Sequence, residues 1–269
     1  MKGNLLLAST MCGLFVVSAT AHDLFLKLDT YFLPPDSKAT VRLMNGTFGE
    51  SEGKVARDRM RDVTLLNPGG NISHPPESNF HDEGEMTLLE VQTTGPGTYV
   101  VGISTRPREI DLKAADFNDY LDHDGIPDVL SARKQSGELG KDVRERYSKH
   151  VKALLQVGGA RTENFKTSLN YPVEIIPQQN PYTLKVGQRI EVQCLLNGKP
   201  IANQFVMAGY ESGKREQHAV STRTDANGRA RIKLEAGGKW YVKMIHMEPA
   251  KEPGLNYKSK WATLTFEVR

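Results

Sequence analysis

The clearest strand pattern in the chain is QRIEVQCLLNGKPIANQFVMAGY, Gln188 to Tyr210. Apolar and polar residues alternate on both sides of Asn197-Gly198, and an Asn-Gly pair between two such runs is typical of a β-hairpin with a tight turn. The segments TDANGRARIKLEAGGKWYVKMIHM and WATLTFEVR continue the alternation, with turn signals about every 8 to 12 residues. These patterns predict an immunoglobulin-like β-sandwich over 182–269, without the disulfide of antibody domains.

The residues before this hairpin also follow strand patterns. HDLFLKLD, starting at His22, places Leu24, Leu26 and Leu28 on one face. The Pro-, Gly- and Asn-rich segment 67–84 is expected to be a surface loop. YPVEIIPQQNPYTL, residues 171–184, has three prolines around a β-branched core and predicts a last strand followed by a stiff linker. The chain is therefore predicted to be mainly β, with two β-sandwich domains over 22–177 and 182–269.

The segment between about 109 and 158 has a different, helical character. Pro127 suits the first turn of a helix running to about Gln135. An earlier short helix is indicated by Phe117, Tyr120 and Leu121. In DVRERYSKHVKALLQVG a longer amphipathic helix is indicated by apolar residues at helical spacing, namely Val143, Tyr147, Val151, Leu154 and Leu155. We expect a helical insertion at the edge of the first sandwich.

The N-terminus has the order of a secretory signal peptide. Lys2 precedes an apolar run from Leu5 to Val17, and Ala19-Thr20-Ala21 is a small-residue cleavage site. The run is shorter than the roughly 18 to 20 apolar residues of a membrane span. A lipid on Cys12 is less favoured, since the residues before it lack the leucine and the small residue of such a site. We expect cleavage after Ala21, a periplasmic location and no membrane span after cleavage.

Charge and cysteine content limit the function further. The formal net charge is +3, and loss of residues 1–21 lowers it by one, so no nucleic-acid partner is implied. Cys194 would be the only cysteine left, which excludes an internal disulfide. In its alternating strand it is expected to be a small buried residue.

Several segments together resemble a known family. AHDLFL at the cleavage site, FNDYLDHDGIPDVLSAR, RERYSKHVKALLQVG, YPVEIIPQQNPYTLKVGQ, GKPIANQFVMA and GKWYVKMIHM resemble the DUF4198 family in composition and order. Proteins of that family are described as periplasmic components of cobalt or nickel uptake systems. The resemblance implies a metal-handling role and a membrane metal transporter as partner. The acidic pair expected before Gly125 is replaced here by Asp122-His123-Asp124.

His22 is the sharpest candidate for metal binding. After cleavage its α-amine and imidazole can chelate one ion, and both are borderline donors suited to nickel, cobalt, copper or zinc. The metal would be a transported ligand rather than a fixed cofactor. The alternative is that cleavage merely leaves a histidine on an edge strand.

A chelating terminus needs further ligands. His246, between Met244 and Met247, is the expected partner of His22, although strand methionines are more often core. His123 in LDHDGIPD is the third metal candidate. Around Gly125, the carboxylates of Asp122, Asp124 and Asp128 can be interpreted as a calcium loop or, as we favour, as a turn between two helices.

The other histidines are weaker candidates. His74 and His81 can meet on an ion in the polar loop, but solvated histidines are commoner there. His150 and His218 have no acidic or histidine-rich neighbours in the sequence and are expected at the surface or an interface.

No catalytic motif is present, neither Gly-x-Ser-x-Gly, nor His-Glu-x-x-His, nor a phosphate-binding glycine loop. We therefore expect a metal-binding protein that is not an enzyme. The rival interpretation is an exported structural or adhesion-type module without a metal role. A second histidine or a carboxylate within about 10 Å of His22 favours the metal hypothesis, because metal ligands must come within about 2.0 to 2.2 Å of the ion.

Overall fold

The computed structural model describes residues 22–212 and 215–269, so the predicted signal peptide over 1–21 lies outside the described residues. The first nine strands are β1 (Asp23–Lys27), β2 (Phe32–Leu33), β3 (Lys38–Gly46), β4 (Met60–Leu66), β5 (Ile72–Ser73), β6 (Phe80–Glu83), β7 (Met86–Gln92), β8 (Gly97–Thr105) and β9 (Arg108–Leu112). The helices α1 (Ala114–His123) and α2 (Pro127–Gln135) follow.

The later strands are β10 (Val143–Val157), β11 (Val173–Pro177), β12 (Arg189–Leu196), β13 (Lys199–Pro200), β14 (Phe205–Ser212), β15 (Arg215–Arg223), β16 (Arg229–Lys233), β17 (Gly238–Pro249) and β18 (Tyr257–Val268). Single-turn 3-10 helices lie at Arg57–Arg59, Glu77–Asn79, Glu163–Lys166 and Pro181–Thr183. The protein is mainly β, as predicted.

Three sheets build this β-sandwich architecture. One four-stranded sheet has the order β1-β3-β7-β6, and a second four-stranded sheet joins β11, β12, β13 and β16. The largest runs β15-β14-β17-β18-β10-β8-β4-β5, and β2 and β9 also pair with β10. β10 and β18 are parallel, with Glu145 opposite Tyr257 and Ala153 opposite Thr265. β1 lies across β18, where the hydroxyls of Thr263 and Thr265 donate to backbone carbonyls of β1.

The hairpin at Asn197-Gly198 forms as predicted. Leu196 pairs with Lys199, and the two residues between them have φ angles of 49° and 75°. Two successive positive φ angles are those of a type I′ turn, whose twist matches that of the flanking strands.

The helix predicted over 142–156 is wrong, because these residues form the long strand β10. The apolar residues Val143, Tyr147, Val151 and Leu155 are four apart, a spacing that fits one face of a helix and equally one face of a strand. From Ser148 to Val157 every residue of β10 is buried, because the strand is covered on both faces. Helical structure in this region is limited to α1 and α2, and both the earlier short helix and the start at Pro127 are confirmed.

The predicted boundary at 177–181 lies between strands that share one core. Leu26 and Val173 before it, and Trp240 and Phe266 after it, are fully buried members of the same apolar cluster. The parallel pairing of β10 with β18 also crosses the boundary. That each side folds alone stays a prediction.

Candidate functional site

A cavity of about 650 Å³ opens where the start of β1 meets α1, β14, β15 and β17. We call it the His22 cavity. Its potential metal ligands are His22, Glu52, Asp116, Asp119, His123 and His218. Its apolar walls include Phe25, Phe48, Leu112, Met207 and Tyr241. The structure therefore brings two of the three predicted metal-binding residues, His22 and His123, to one space.

His22 lies immediately before β1 and is held beside a carboxylate. Its Nδ1 is 3.4 Å from Oε2 of Glu52, and its side chain is 29% exposed. Glu52 is positioned by the turn after β3, where its backbone N–H donates to the carbonyl of Asn45 at 2.9 Å. Gly46 permits this turn, because a Cβ there would lie 2.5 Å from the backbone oxygen of Glu50.

His123 is the last residue of α1. Its Nδ1 is 2.8 Å from the backbone oxygen of Asp119, and because a carbonyl only accepts, Nδ1 carries the proton. With Nδ1 anchored in this way, Nε2 is the ring nitrogen that can bind a metal, the usual arrangement of a metal-binding histidine. The helix ends here because Gly125 adopts a φ of 79° and Pro127 begins α2.

His218, Asp116, Asp119 and Glu52 were missed as site residues by the sequence argument. His218 lies on β15 opposite Gly209 and is exposed, with Nε2 3.0 Å from the hydroxyl of Ser221. The strand pairing of β14 with β15 brings it to the cavity. The spacing of Asp116 and Asp119 on α1 was the one available signal, since residues three apart share a helix face.

Lys243 lies at the floor of the His22 cavity and links the residue next to His22 with the residue next to His123. Its Nζ lies 2.5 Å from Oδ2 of Asp23 and 2.8 Å from Oδ1 of Asp124. These acids directly follow His22 and His123 in the chain, so we call the three residues the Lys243 cluster. Burial lowers the pKa of Lys243, but the charges of the two carboxylates outweigh burial and raise it overall. Burial raises the pKa of Asp23 to about 6, against the lowering effect of Lys243.

A second group of buried ionisable residues lies behind Tyr120. Oε1 of Glu145 accepts hydrogen bonds from Ser259 and, at 3.3 Å, from Tyr120, while its Oε2 has no partner among the described residues. Burial raises the pKa of Glu145 to about 7. Lys149 reaches Oδ1 of Asn45 at 3.0 Å, and burial lowers its pKa to about 8. Tyr120 lines the His22 cavity and also donates to Glu145, so it contacts both the cavity and this group.

The histidines and acids share a space without forming a ready-made metal site. Within residues 22–212 and 215–269, no three His, Cys, Asp or Glu side chains are grouped closely enough to hold an ion. The α-amine produced by cleavage would be an additional donor beside the imidazole of His22.

The family designated Domain of unknown function (DUF4198) matches residues 19–248. The chain belongs to the DUF4198 family. No curated protein matches it. None of the helices in the described part of this DUF4198 chain is long and apolar enough to cross a bilayer.

Solved structures similar to the DUF4198 chain include several adhesin modules. A tetra-tandem repeat from the extending region of a large adhesion protein is 13% identical, with 91% of this chain and 49% of that chain covered and a TM-score of 0.24. The D0-D1 domain of intimin is 12% identical, with 91% and 97% covered and a TM-score of 0.21. The Escherichia coli adhesin FdeC is 11% identical, with 93% and 65% covered and a TM-score of 0.24. The chain spans about half the length of the adhesion-protein structure, and TM-scores this low carry no argument about function.

His246 of the DUF4198 chain lines another cavity, of about 220 Å³. Its Nδ1 lies 3.1 Å from Oε1 of Gln204, and burial lowers its pKa. Met247 also lines this smaller cavity, whereas Met244 is a buried core residue. The structure does not bring His246 to His22, so the predicted pairing of these two ligands finds no support in their placement.

The other candidates for ion binding are the acidic residues on either side of Gly125, which form ion pairs, and His74 and His81, which lie at different sheets. The carboxylate of Asp124 contacts Lys243, and that of Asp128 forms two 2.8 Å bonds with Arg223. The favoured turn between two helices is therefore confirmed. His74 follows β5 in the largest sheet and His81 lies on β6 in another.

Two further predictions concern the single residues His150 and Cys194. The expectation that His150 lies at the surface or an interface is wrong. It is buried inside the protein on β10, between the hydroxyls of Ser104 and Ser148, and burial lowers its pKa to about 3. Cys194 is buried as predicted, and burial raises its pKa to about 12.

Proposed function

We propose that the mature protein begins at His22, is exported to the periplasm, and captures a nickel, cobalt or copper ion in the His22 cavity to supply a membrane uptake system. The observation that carries this proposal is the carboxylate of Glu52, 3.4 Å from Nδ1 of His22. A carboxylate beside a chelating terminus is what the metal hypothesis requires and what an incidental histidine does not.

The α-amine and Nδ1 of His22 close a chelate ring on the ion. Ligands about 2.0 to 2.2 Å from an ion lie about 2.8 to 3.6 Å from one another in octahedral or tetrahedral geometry. The separation of 3.4 Å between Nδ1 of His22 and Oε2 of Glu52 falls in that range. Binding displaces protons from the amine and the imidazole, so uptake of the ion releases protons. In place of His246, the further histidine of the site is His123, through its Nε2.

The charges around the cavity favour a cation. Glu52, Asp116 and Asp119 contribute carboxylates to the lining, while the charge of Lys243 is balanced by Asp23 and Asp124. Side chains that share a cavity without forming a closed cluster suit capture followed by release to a transporter, because an ion held by few ligands dissociates quickly.

The test is calorimetric titration of Cu(II), Ni(II), Co(II) and Zn(II) into the mature protein, with its N-terminus confirmed by mass. A variant with one additional alanine before His22 moves the α-amine away from the imidazole. We expect this variant to bind at least about tenfold more weakly, or about 1.4 kcal/mol. The matched control His74→Asn, at an exposed histidine outside the cavity, leaves the affinity unchanged. Equal binding by the alanine variant places the metal elsewhere, and no binding by either form favours the structural or adhesion-type rival.

A further inference from the structure

The His22 cavity is much larger than an ion needs. Its volume of about 650 Å³ lies in the range of about 300 to 1,000 Å³ typical of sites for small organic molecules. A single water molecule, by comparison, occupies about 30 Å³ of the liquid. Space for an organic group therefore remains beside a metal ion held by His22.

The protein also provides few ligands. No three His, Cys, Asp or Glu side chains in the described ranges 22–212 and 215–269 converge on one point. A divalent transition metal takes at least four donors in most protein sites. The chelating terminus, Glu52 and His123 supply at most four donors, so an ion with octahedral geometry keeps positions that solvent or a second chelator must fill.

One wall of the cavity is aromatic. Phe25, Phe48 and Tyr241 pack against one another with ring centroids 5.1 to 5.3 Å apart, and all three line the cavity. A hydrated ion gains nothing from such a surface, whereas the carbon skeleton of an organic chelator buries apolar area against it.

The rim restricts the charge of that chelator. The carboxylates of Glu52, Asp116 and Asp119 lie at the cavity, and the ammonium of Lys243 is already paired with two carboxylates. A complex with net negative charge is repelled, while a divalent ion bound to a singly charged chelator keeps a net positive charge.

Building on the proposed function, we propose that the His22 cavity takes up the metal as a cationic complex with a small amino-carboxylate chelator of amino-acid size. The terminus, Glu52 and His123 hold the ion, and the chelator fills the remaining coordination positions and lies against the aromatic wall. Citrate-type polycarboxylate complexes are excluded by their charge.

The test uses the mature protein, equimolar Ni(II) and radiolabelled L-histidine, with equilibrium dialysis to measure both. We expect equimolar nickel and histidine to be retained, and no histidine to be retained without nickel. Retention of nickel without histidine overturns this inference but leaves the proposed function intact. Retention of neither overturns both. Labelled citrate in place of histidine is expected not to be retained, and its equal retention contradicts the charge argument.

Filling the cavity gives an independent test. Met207→Trp adds volume at the wall, and we expect the ratio of retained histidine to nickel to fall by about tenfold or more. Thr47→Trp, on the exposed loop at the cavity, is a second variant in case the first does not fold. Ile72→Trp, at an exposed position of β5, is the matched control and retains the wild-type ratio. An unchanged ratio in both cavity variants overturns the inference.

Discussion

Lys152 and Lys243 are both buried lysines with carboxylate partners, and they have different surroundings. Lys152 of β10 lies 2.9 Å from Oε2 of Glu174 on β11, with side chains 3% and 1% exposed. Lys243 is paired with Asp23 and Asp124 at the floor of the His22 cavity. The first pair ties two sheets together and has no outlet to solvent. The second fixes the residues next to His22 and His123, so the same chemistry serves packing in one place and a site in the other.

The largest effect on stability is expected from breaking the buried pair of Lys152 and Glu174. Lys152→Met leaves the carboxylate of Glu174 buried without its counter-charge, and we expect the free energy of unfolding to fall by about 3 to 5 kcal/mol. Urea denaturation followed by circular dichroism measures this. Metal affinity of the folded protein stays unchanged, because the pair does not line the His22 cavity.

The double variant Lys152→Met with Glu174→Leu is the control for that measurement. It removes both charges from the core and is expected to recover most of the lost stability, since an apolar pair of similar volume is often as stable as a buried ion pair. A loss of unfolding free energy below about 1 kcal/mol in the single variant, the size seen for exposed pairs, would contradict the interpretation that Lys152 and Glu174 form a fully buried ion pair between two sheets.

Glu145 sharpens the comparison, because it is a buried carboxylate without a lysine bonded to it. Burial raises its pKa from 4.5 to about 7. The protonated carboxyl therefore contributes stability that is fully present below about pH 4.5 and is lost as the pH rises to about 7. Glu145→Gln does not titrate, so its stability relative to wild type should increase by about 3 kcal/mol between pH 4.5 and 7.5.

Denaturation of both proteins at several pH values checks this. A difference that is constant with pH, or that moves in the opposite direction, would show that Glu145 ionises at least as readily in the folded chain as in the unfolded one.

The smallest effect separates the Lys243 cluster from an ordinary surface pair. Asp124→Asn removes one partner of Lys243 and loosens the end of α1 that carries His123, so we expect nickel to bind about three- to tenfold more weakly. Asp128→Asn, four residues along the chain, breaks only the exposed pair with Arg223 and changes stability by about 1 kcal/mol or less. Calorimetry on both variants measures the contrast, and equal nickel affinities would refute the positioning role of Asp124.

Much of the fold could be predicted because the signals are local. The turn at Asn197-Gly198 and the helix start at Pro127 depend on backbone preferences of one or two residues. β10 could not be predicted in this way, because its charged residues are buried by partners far away in the chain, such as Glu174 for Lys152. The alternation of apolar and polar residues is lost in a strand whose two faces are both covered by other parts of the protein. Apolar residues four apart then resemble the pattern of a helix.

The residues of the His22 cavity likewise fall into those that a local sequence signal indicates and those that no local signal indicates. His22 could be singled out because the predicted cleavage signal is contiguous in the sequence, and His123 because it interrupts an acidic loop. Glu52, His218 and Lys243 come from separate strands and loops, and no local pattern connects them.

The sequence by itself determined the mainly β character, the tight turns and the helix pair, since these follow from the chemistry of neighbouring residues. Only the tertiary structure decided that β10 pairs with β18 and that Lys243 links Asp23 to Asp124. Those contacts join residues more than 100 positions apart, and they are selected by burial and charge pairing across the whole core, which no short window of sequence contains.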